Sequence, residues 1–561
     1  MSQTISGFLS EHLSTSQAIG ASNKEWLTYG TLRELSEKVK TFLRKSGISK
    51  KDRVAIVLPN GPTMASAFAT IAQCAITAPL NPSYREDEFN FYLDDLKAKA
   101  IVVNEGYDGA ASVAAERLGI KIIRLLENDR IAGLFSLMGD ENEELLEDEV
   151  VSENDVALIL HTSGTTSRPK IVPLLQSNVA ASASNIAKSL SLSSSDRCLN
   201  VMPLFHIHGL IAAVSASLSV GASIWCSSGF NALSFFSNLD RAKPTWYTAV
   251  PTMHQAILAR SNRNSKIIKN NPLRFLRSSS ASLPAQVMRD LEESFSAPVI
   301  EAYGMTEATH QMCCNLLDKQ KPGSVGKPAG PSVRIADEAD DYLIDGTGEV
   351  VISGNNVTPG YENNIDANQK SFFEIEGERW FRTGDQGAFD EDGFLYLTGR
   401  LKEIINRGGE KISPLEIDSI LLDHPEIDQV VTFALPHPKL GEDVAAAVQK
   451  WLEEFMLEYV KFHVRKTGVK NICLSGGVAA NVIMNLRIFE EITPNIFIVP
   501  AMTDEGSAQG AALKLMMQQD TDINWIRDKS VPYWGTQYSK SDILKTVSKY
   551  SNIEILDLKE I

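Results

Sequence analysis

The chain has 561 residues, 43% hydrophobic and 22% charged, a composition that can bury the cores of about three or four domains. Its 54 Lys and Arg and 70 Asp and Glu give a formal net charge of −16. This acidity argues against a nucleic-acid or anionic-membrane binder, because phosphate affinity requires clustered basic residues. The six cysteines form no CxxC pair, which excludes a zinc ribbon or disulfide scaffold and suits a reducing compartment. We expect neither a membrane span nor a secretory signal from the hydropathy pattern.

The first 310 residues alternate short apolar runs with stretches of helical period. Because these runs are apolar on both faces, they are typical of strands in a parallel sheet covered by helices on both sides. Residues 209–225 predict a buried helix that leads into a strand. The runs that predict strands are 54–58, 100–103, 156–160, 198–202, 222–226, 245–250, 275–279 and 298–303. We therefore predict a doubly wound α/β fold with more than one sheet.

After residue 320 the residue pattern of the chain changes twice, first to a β-rich stretch and then, from 451, to a helical one. Residues 320–400 are rich in β-type residues and in Gly, Pro and Asn turns, which predicts a β-rich subdomain. Residues 433–450 predict a strand, a loop and a second strand. From 451 an amphipathic helix follows, and no Gly/Ser linker marks this change. The acidic run at 142–149 indicates a solvated loop or helix face.

The segment VALILHTSGTTSRPK at 156–170 carries the strongest chemical signal. Gly164 lets backbone N–H groups approach a ligand closely, the hydroxyls beside it donate hydrogen bonds, and Lys170 adds positive charge. This combination predicts a cradle for a polyphosphate. Its spacing differs from the Walker motif, which excludes a P-loop NTPase. A surface turn rich in Ser, Thr and Gly is the alternative interpretation, and the motifs that follow disfavour it.

Three further motifs follow in a fixed order, EAYGMTEATHQM at 301–312, WFRTGDQGAFDEDGFLYLTGR at 380–400 and LKEIINRGGEKISPLEID at 401–418. With these motifs the chain resembles the adenylate-forming (AMP-binding) enzymes over about residues 1–449. This superfamily includes acyl-CoA synthetases, luciferases and peptide-synthetase adenylation domains. Residues 79–100 and MPLFHIHGL at 202–210 are most similar to oxalate–CoA ligases. The resemblance implies a large multi-layer parallel-sheet adenylation domain over 1–398, followed by the beginning of a mobile lid over 399–449.

The resemblance also implies roles for individual residues toward ATP and Mg²⁺. The β- and γ-phosphates would be held by Thr162, Ser163, Gly164, Thr165, Thr166 and Lys170. Thr306 would contact the α-phosphate and Glu307 would hold Mg²⁺, a cation that prefers oxygen ligands.

The nucleoside would be held by a second group of residues. Tyr303 would stack on the adenine, with Ser280 and Ala281 on the other side of the base, and Asp385 would accept hydrogen bonds from both ribose hydroxyls. Arg400 would lie near the ribose and phosphate, and Lys402 matches the hinge of the lid.

The implied reaction joins a small carboxylic acid first to AMP and then to coenzyme A. We expect the acid to lie near His206, His208, Ser280 and His310, because imidazole and hydroxyl groups can bind the far carboxylate of a small dicarboxylate. Ser279 and Ser280 stand where many relatives have glycines, which would make the pocket narrow and polar. A structural role for any one of these histidines is the alternative.

The family pattern stops within the lid. The Pro-Lys-Thr-x-x-Gly-Lys segment, whose last lysine contacts the reacting carboxylate and phosphate in the family, is absent, and KTG at 466–468 does not replace it. Loss of such a charge typically costs ~10²-fold or more in rate. Residues 450–561 instead resemble an internal fragment of the carbamoyltransferases of the actin-like ATPase class, an α/β fold. In that family the residues near nucleotide or metal would be Gly476, Gly477, Asn481, Asp504 and Gly506. For this chain the preferred interpretation of the fragment is a structural remnant without a working site.

Three hypotheses follow. The chain is an ATP-dependent acid–CoA ligase, oxalate-like and impaired by its truncated lid; or a fusion that couples AMP binding to carbamoyl transfer; or a non-catalytic nucleotide-binding chimera. We expect a small carboxylic acid and no nucleic acid as partners, and the oligomeric state stays open. The C-terminal LKEI differs from a Ser-Lys-Leu signal, so we expect a cytoplasmic location, with a peroxisomal one as the alternative.

Overall fold

The computed structural model of the chain describes residues 3–140, 146–147, 149–162, 169–407, 410–422, 430–437, 441–469, 471–474 and 482–498. The chain divides into two compact units, one of residues 1–423 with 432–445 and one of residues 424–431 with 446–561. No helix in the described residues is both long enough and apolar enough to cross a membrane.

The described strands are numbered in chain order. The strands up to residue 249 are β1 Gln17–Gly20, β2 Leu27–Thr28, β3 Arg53–Val57, β4 Ile76–Pro79, β5 Ala100–Asn104, β6 Lys121–Glu127, β7 Phe135–Met138, β8 Val156–His161, β9 Ile171–Leu175, β10 Arg197–Asn200, β11 Ser223–Cys226 and β12 Trp246–Ala249. The later strands are β13 Phe275–Ser279, β14 Val299–Met305, β15 His310–Cys314, β16 Lys327–Pro328, β17 Ser332–Ala336, β18 Gly348–Ser353, β19 Phe372–Ile375, β20 Glu378–Phe389, β21 Leu395–Arg400, β22 Ile405–Arg407, β23 Glu410–Ile412, β24 Val430–His437, β25 Gly441–Val448, β26 Ile472–Leu474 and β27 Ile496–Ile498.

The described helices are numbered in the same way. The α-helices are α1 Ile5–Ser10, α2 Tyr29–Lys45, α3 Pro62–Ile71, α4 Glu86–Asp95, α5 Ala110–Leu118, α6 Gln176–Ser189, α7 Ala216–Ser219, α8 Phe235–Ala242, α9 Pro251–Ser261, α10 Ser265–Asn270, α11 Ala285–Phe295, α12 Ile365–Ser371, α13 Pro414–Leu422, α14 Gln449–Thr467 and α15 Val482–Glu491. A π-helical segment spans His208–Ser215, and 3₁₀ turns span Asn262–Asn264 and Thr306–Ala308.

Helix α2 illustrates how the sequence specifies these elements. The side chain of Thr28 accepts a hydrogen bond from the Thr31 N–H at the start of the helix, which satisfies one of the free N–H groups there. Leu32, Leu35 and Val39 recur at helical spacing and are all buried. The helix is therefore capped at its start and held by one apolar face.

The first sheet has seven described strands in the order β7-β6-β5-β3-β4-β8-β9. Strands β6, β5, β3, β4 and β8 are parallel, and β7 and β9 pair antiparallel at the two edges. Alternate residues of β3 enter different apolar clusters, Val54 and Ile56 in one and Ala55 and Val57 in another. Both faces of the sheet are therefore covered, which explains why the strand sequences are apolar throughout.

The second sheet has nine described strands in the order β16-β15-β14-β13-β12-β10-β11-β1-β2, of which β14 to β1 are parallel. Its two faces also bury different residues. Trp246 and Phe275 pack in the larger cluster, whereas the neighbouring Tyr247 and Leu276 pack in a separate one. Its strands end near residues 226, 249, 279 and 305, and the segments that follow β13 and β14 build the site described below.

Smaller sheets complete the first unit. Strands β17, β18, β20, β19 and β21 form an antiparallel sheet over the predicted β-rich subdomain, and β23, β22, β25 and β24 form a four-stranded sheet. In the second unit β26 and β27 pair in parallel. There Leu457 and Val460 of α14 pack with Met484 and Ile488 of α15 in a separate buried cluster.

The predicted strands and helices are confirmed in the described residues. The segment 209–225 forms a helix and then β11 as expected, although its first part is π-helical, a geometry that sequence periodicity does not reveal. The α14 helix is also as expected. Most of the acidic run at 142–149 lies outside the described residues.

Candidate active site

Strands β8 and β9 form an antiparallel hairpin, and the segment that joins them carries the expected polyphosphate sequence. The Thr162 N–H donates a hydrogen bond to the Lys170 carbonyl oxygen over 3.0 Å, so the two ends of this segment are held together. The middle of the segment lies outside the described residues, and its role in phosphate binding stays a prediction. This applies to Ser163, Gly164, Thr165 and Thr166.

A tight turn follows β14 and contains the expected phosphate and metal residues. The 3₁₀ turn Thr306–Ala308 leads into Thr309 and His310, whose φ angles are 48° and 93°. Position 304 must be glycine, because a Cβ atom there would lie 1.8 Å from the carbonyl oxygen of His310. The backbone reversal therefore brings Thr306, Glu307 and His310 into one compact turn.

Asn356 and Thr358 hold this turn from outside. The Asn356 Nδ2 donates to the carbonyl oxygens of Ala308, over 2.8 Å, and Gln311, over 3.1 Å. The Thr358 N–H donates to the Glu307 carbonyl oxygen over 2.7 Å. The turn is thus fixed by bonds to its backbone.

Buried Glu307 and Tyr361 form a polar cluster beside the turn with the half-buried Lys170. The Tyr361 hydroxyl donates to Glu307 Oε1 over 2.7 Å, and Lys170 Nζ lies 4.2 Å from the centre of the Tyr361 ring. Burial lowers the pKa of Lys170, and Glu307 partly opposes this change while Lys402 adds to it. Lys170, Glu307 and Lys402 are therefore close enough to interact electrostatically. An ammonium group at this position can bind phosphate.

The residues present fit a magnesium ion that arrives with a nucleotide. Glu307 is 6% exposed and offers a carboxylate in the turn. Among the described residues no group of three or more His, Cys, Asp or Glu side chains could hold a metal by itself. Mg²⁺ is commonly held by one or two carboxylates together with substrate phosphates. The donor set therefore suits a metal shared with ATP better than a resident metal centre.

A cavity of about 290 Å³ contains five of the residues expected to bind the nucleoside. These are Ser280, Ala281, Tyr303, Asp385 and Arg400. Ser280 and Ala281 follow β13, Tyr303 lies in β14, Asp385 in β20 and Arg400 at the end of β21, so their meeting depends on the tertiary fold. Its walls also include Glu301, whose Oε1 accepts a hydrogen bond from the Leu283 N–H over 2.9 Å.

Asp385 lines this cavity and has two polar partners there. It accepts a hydrogen bond from the Tyr303 hydroxyl, and its Oδ1 lies 3.1 Å from Arg400 Nε. Burial raises the pKa of the Asp385 carboxyl and Arg400 opposes this rise. The Arg400 side chain is 60% exposed and the Asp385 side chain 8%. Because Arg400 is exposed, breaking its ion pair with Asp385 costs little free energy. The Asp385 carboxylate can then accept hydrogen bonds from a vicinal diol.

The histidine cluster borders the same cavity through Ser280. His208 Nδ1 lies 3.0 Å from Ser280 Oγ and His208 Nε2 lies 2.6 Å from Thr248 Oγ1. The His208 and His310 rings have centres 4.8 Å apart. Apart from His310 itself, no described residue gives a hydrogen-bond partner to either ring nitrogen of His310, although the residue is 2% exposed. Such a buried, unpartnered polar group is available to a ligand.

The remaining expected residues differ in their placement. His206 is exposed, and its Nδ1 accepts a hydrogen bond from the His208 N–H over 3.3 Å. Ser279 is buried, and its hydroxyl donates to the Ala302 carbonyl oxygen over 2.6 Å. This bond to the neighbouring strand makes Ser279 a structural residue, so the polar character at this position comes from Ser280.

Sequence reasoning missed Tyr361 and Arg277. Tyr361 follows a Pro-Gly turn, and no pattern there connects it with Glu307, which is 54 positions away. Arg277 stands inside β13, where the other residues are apolar or serine, and its side chain is fully buried. A lone charge in a buried strand was a signal that could have identified it.

Comparison with known protein families gives two matches. The model of the AMP-binding enzyme family matches residues 12–362. The model of the carbamoyltransferase N-terminus matches residues 400–513, which begins upstream of the expected boundary at 450. The residues predicted for a site in that segment lie outside the described residues, namely Gly476, Gly477, Asn481, Asp504 and Gly506.

Individual relatives agree with the first match. An oxalate–CoA ligase of Arabidopsis thaliana is 43% identical, over 80% of this chain and 88% of the relative. An oxalate–CoA ligase of Saccharomyces cerevisiae is 40% identical, over 82% of this chain and 91% of the relative. The structure of ATP-bound MatB from Rhodopseudomonas palustris aligns with a TM-score of 0.70 at 25% identity, over 80% of this chain and 88% of that chain.

These matches confirm the predicted resemblance, the α/β fold and the prediction of an acyl-CoA-synthetase-type enzyme. The likeness to a carbamoyltransferase in the C-terminal part is confirmed as well, although the match there covers only a minor part of the chain. The family model and the two oxalate–CoA ligase relatives together show that the chain belongs to the AMP-binding enzyme family.

Proposed function

We propose that this acid–CoA ligase acts on oxalate, which it joins first to AMP and then to coenzyme A. The observation that carries the proposal is the His208–Ser280–His310 cluster beside the nucleotide cavity. This cluster offers polar groups to the second carboxylate of a very small acid. The names of two relatives, both oxalate–CoA ligases, support the same substrate.

The first half-reaction uses the residues of the nucleotide cavity. A carboxylate oxygen of the acid attacks the α-phosphorus of ATP, the bond to the bridging oxygen breaks, and pyrophosphate leaves. Lys170 and the hairpin segment hold the leaving phosphates, Tyr303 and Asp385 orient the nucleoside, and Thr306 binds the α-phosphate. Glu307 would hold Mg²⁺, which would supply positive charge at the phosphates. Catalysis here consists of positioning and charge stabilisation.

In the second half-reaction the thiolate of coenzyme A attacks the acyl carbon of the adenylate. The bond between that carbon and the phosphate oxygen breaks, and AMP leaves with the negative charge. His208 and Ser280 keep the acid in place during both steps. Arg400 and Lys402 lie just after the adenylation domain, where the family has its hinge.

We further propose the domain limits 1–398 for adenylation, 399–449 for a truncated lid and 450–561 for the carbamoyltransferase-like fragment. The missing lid lysine leaves the transition state of adenylation without one cation, so the reaction is slow compared with an intact ligase. Carbamoyl transfer has less support, because its family model matches only the N-terminal region of such an enzyme.

The test is acid-dependent exchange of labelled pyrophosphate into ATP, with oxalate, malonate, acetate and benzoate as acids. We expect exchange with oxalate above the other acids, and a loss of ~10²-fold or more in Glu307→Gln, because a carboxylate at the phosphates is removed. The matched control is Glu391→Gln, an exposed loop position, which keeps the wild-type rate. Oxalate exchange no greater than exchange with acetate refutes the substrate.

A further inference from the structure

Arg277 is a buried cation without an acidic partner. Its residue exposure is 0%, and among the described residues no Asp or Glu pairs with it. Its NH1 lies 3.4 Å from both His208 Nε2 and Thr248 Oγ1, and its NH2 lies 3.2 Å from Gln311 Oε1. Burying a charge with only neutral partners is costly. A function of Arg277 would explain why the protein keeps this unfavourable burial.

The position of Arg277 determines which nitrogen of His208 carries the proton. A guanidinium group has donors only, so the group facing His208 Nε2 requires that nitrogen to accept. Thr248, at 2.6 Å from the same nitrogen, must then also donate to it. The proton of the neutral imidazole therefore lies on Nδ1, which donates to Ser280 Oγ over 3.0 Å.

His208 stays neutral in this arrangement. Burial lowers the pKa of His208 well below its ordinary value, and the nearby His310, Arg277, His206 and His254 lower it further. A neutral ring with Nδ1–H occupies the acceptor side of the Ser280 hydroxyl. The hydroxyl hydrogen of Ser280 is then free to point into the cavity that Ser280 lines.

We propose that Arg277 is a positioning and specificity-determining residue, which acts through His208 so that Ser280 presents its hydroxyl hydrogen to the second carboxylate of the acid. This inference rests on the proposed function for the identity of the acid as a small dicarboxylate. Hydrogen bonds to a charged acceptor are stronger than those to a neutral one, so the arrangement favours a dianion over an analogue whose second carboxylate is replaced by a neutral amide.

The kinetic test uses full-length Arg277→Met and Arg277→Lys with oxalate and with oxamate, the monoamide of the same shape. In the methionine variant we expect the KM for oxalate to rise about tenfold or more, and the ratio of kcat/KM for oxalate over oxamate to fall at least about fivefold. Arg277→Lys keeps a hydrogen-bond donor and a positive charge, so we expect it to retain most of the wild-type ratio of kcat/KM for oxalate over oxamate. The control is Arg274→Gln, which changes a partly exposed arginine three positions upstream. We expect it to leave the oxalate-to-oxamate ratio of kcat/KM unchanged.

A double-mutant cycle separates this role from a structural one. If Arg277 acts through Ser280, Arg277→Met changes the acid ratio less than about threefold in a Ser280→Ala background, because coupled residues are non-additive. An equal loss for both acids, or effects that multiply, overturns the inference.

A measurement on the unsubstituted protein covers the case in which Arg277→Met does not fold. In the ¹⁵N-histidine-labelled full chain, with the His208 signals identified by their loss in His208→Asn, we expect a proton on Nδ1 and none on Nε2. A proton on Nε2 overturns the inference. This result does not depend on the acid, so failure of the wild-type chain to use oxalate refutes the proposed function alone.

Discussion

At the scale of single residues, the nucleotide cavity contains a carboxyl group in an unusual state. Glu301 is 2% exposed, and its Oε2 has no hydrogen-bond partner among the described residues. Burial raises the pKa of the Glu301 carboxyl to about 8. The folded protein therefore keeps this group protonated at neutral pH, whereas the unfolded chain releases the proton near the ordinary value of 4.5.

This difference predicts how stability changes with pH. Between pH 4.5 and 8 the folded state binds one more proton than the unfolded state, so the contribution of Glu301 to the free energy of unfolding falls as pH rises, by about 1.4 kcal/mol per unit. Glu301→Gln keeps an acceptor for the Leu283 N–H and removes the titration. We expect the melting temperature of the variant, relative to that of the wild type, to rise from pH 5 to pH 8. Parallel curves for the two proteins over this range would contradict the assignment.

Residues of the site differ in how far the sequence revealed them. Glu307, Asp385 and Arg400 stand in the ordered motifs on which the family resemblance depends, and that resemblance predicted their roles. Tyr361 and Arg277 acquire their roles from partners 54 and 69 positions away, and only folding brings these groups together.

At the scale of elements, strands were predictable because burial on both sheet faces leaves long apolar runs, as in β3 and β5. The π-helical geometry of His208–Ser215 was not predictable from the sequence. A π-helix differs from an α-helix in its backbone hydrogen bonds, whereas the apolar pattern of the sequence is the same for both. The tight turn after β14 was visible only as a motif. Its shape depends on contacts with Asn356 and Thr358, which lie outside that motif.

The turn after β14 should tolerate no side chain at position 304. In Gly304→Ala the new Cβ would overlap the His310 carbonyl oxygen, so the backbone of the turn must move. We expect a loss of about 1–3 kcal/mol in stability and a loss of ligase activity that exceeds the effect on stability. Gly377→Ala is the control, because that glycine has a φ of 80° and no atom within 4 Å of the added Cβ. It should lose some stability and keep its activity, and equal activity in both variants would refute the role of the turn.

At the scale of the whole molecule, the chain carries separate apolar cores in its two units. The cluster around Leu457, Val460, Met484 and Ile488 belongs to the second unit only. The ordinary length and composition of the chain did not disclose this division, and the loss of the family motifs near residue 450 was the only sequence signal that predicted a boundary. The sequence also could not show the cluster itself, because α14 and α15 meet through side chains separated by more than 20 positions.

Separate cores predict separate unfolding transitions in calorimetry. Leu457→Ala removes a fully buried side chain and should lower the stability of the second unit by about 2–5 kcal/mol. The transition of the first unit, identified by its shift on adding ATP, should stay in place. The matched control is Leu486→Ala on α15, where the side chain is 52% exposed and the loss should be small. A single transition that moves as a whole would contradict this view.

The hydrogen bond between Thr162 and Lys170 has a consequence for the entropy of nucleotide binding. Closing a chain segment costs conformational entropy that grows slowly with its length, and here the β8–β9 hairpin meets that cost during folding. A nucleotide therefore need not bring the two ends of the segment together. Lengthening the segment twofold should therefore lower the stability of the hairpin by about 0.6 kcal/mol and leave ATP affinity nearly unchanged, whereas separating its ends would add the cost of closure to each binding event.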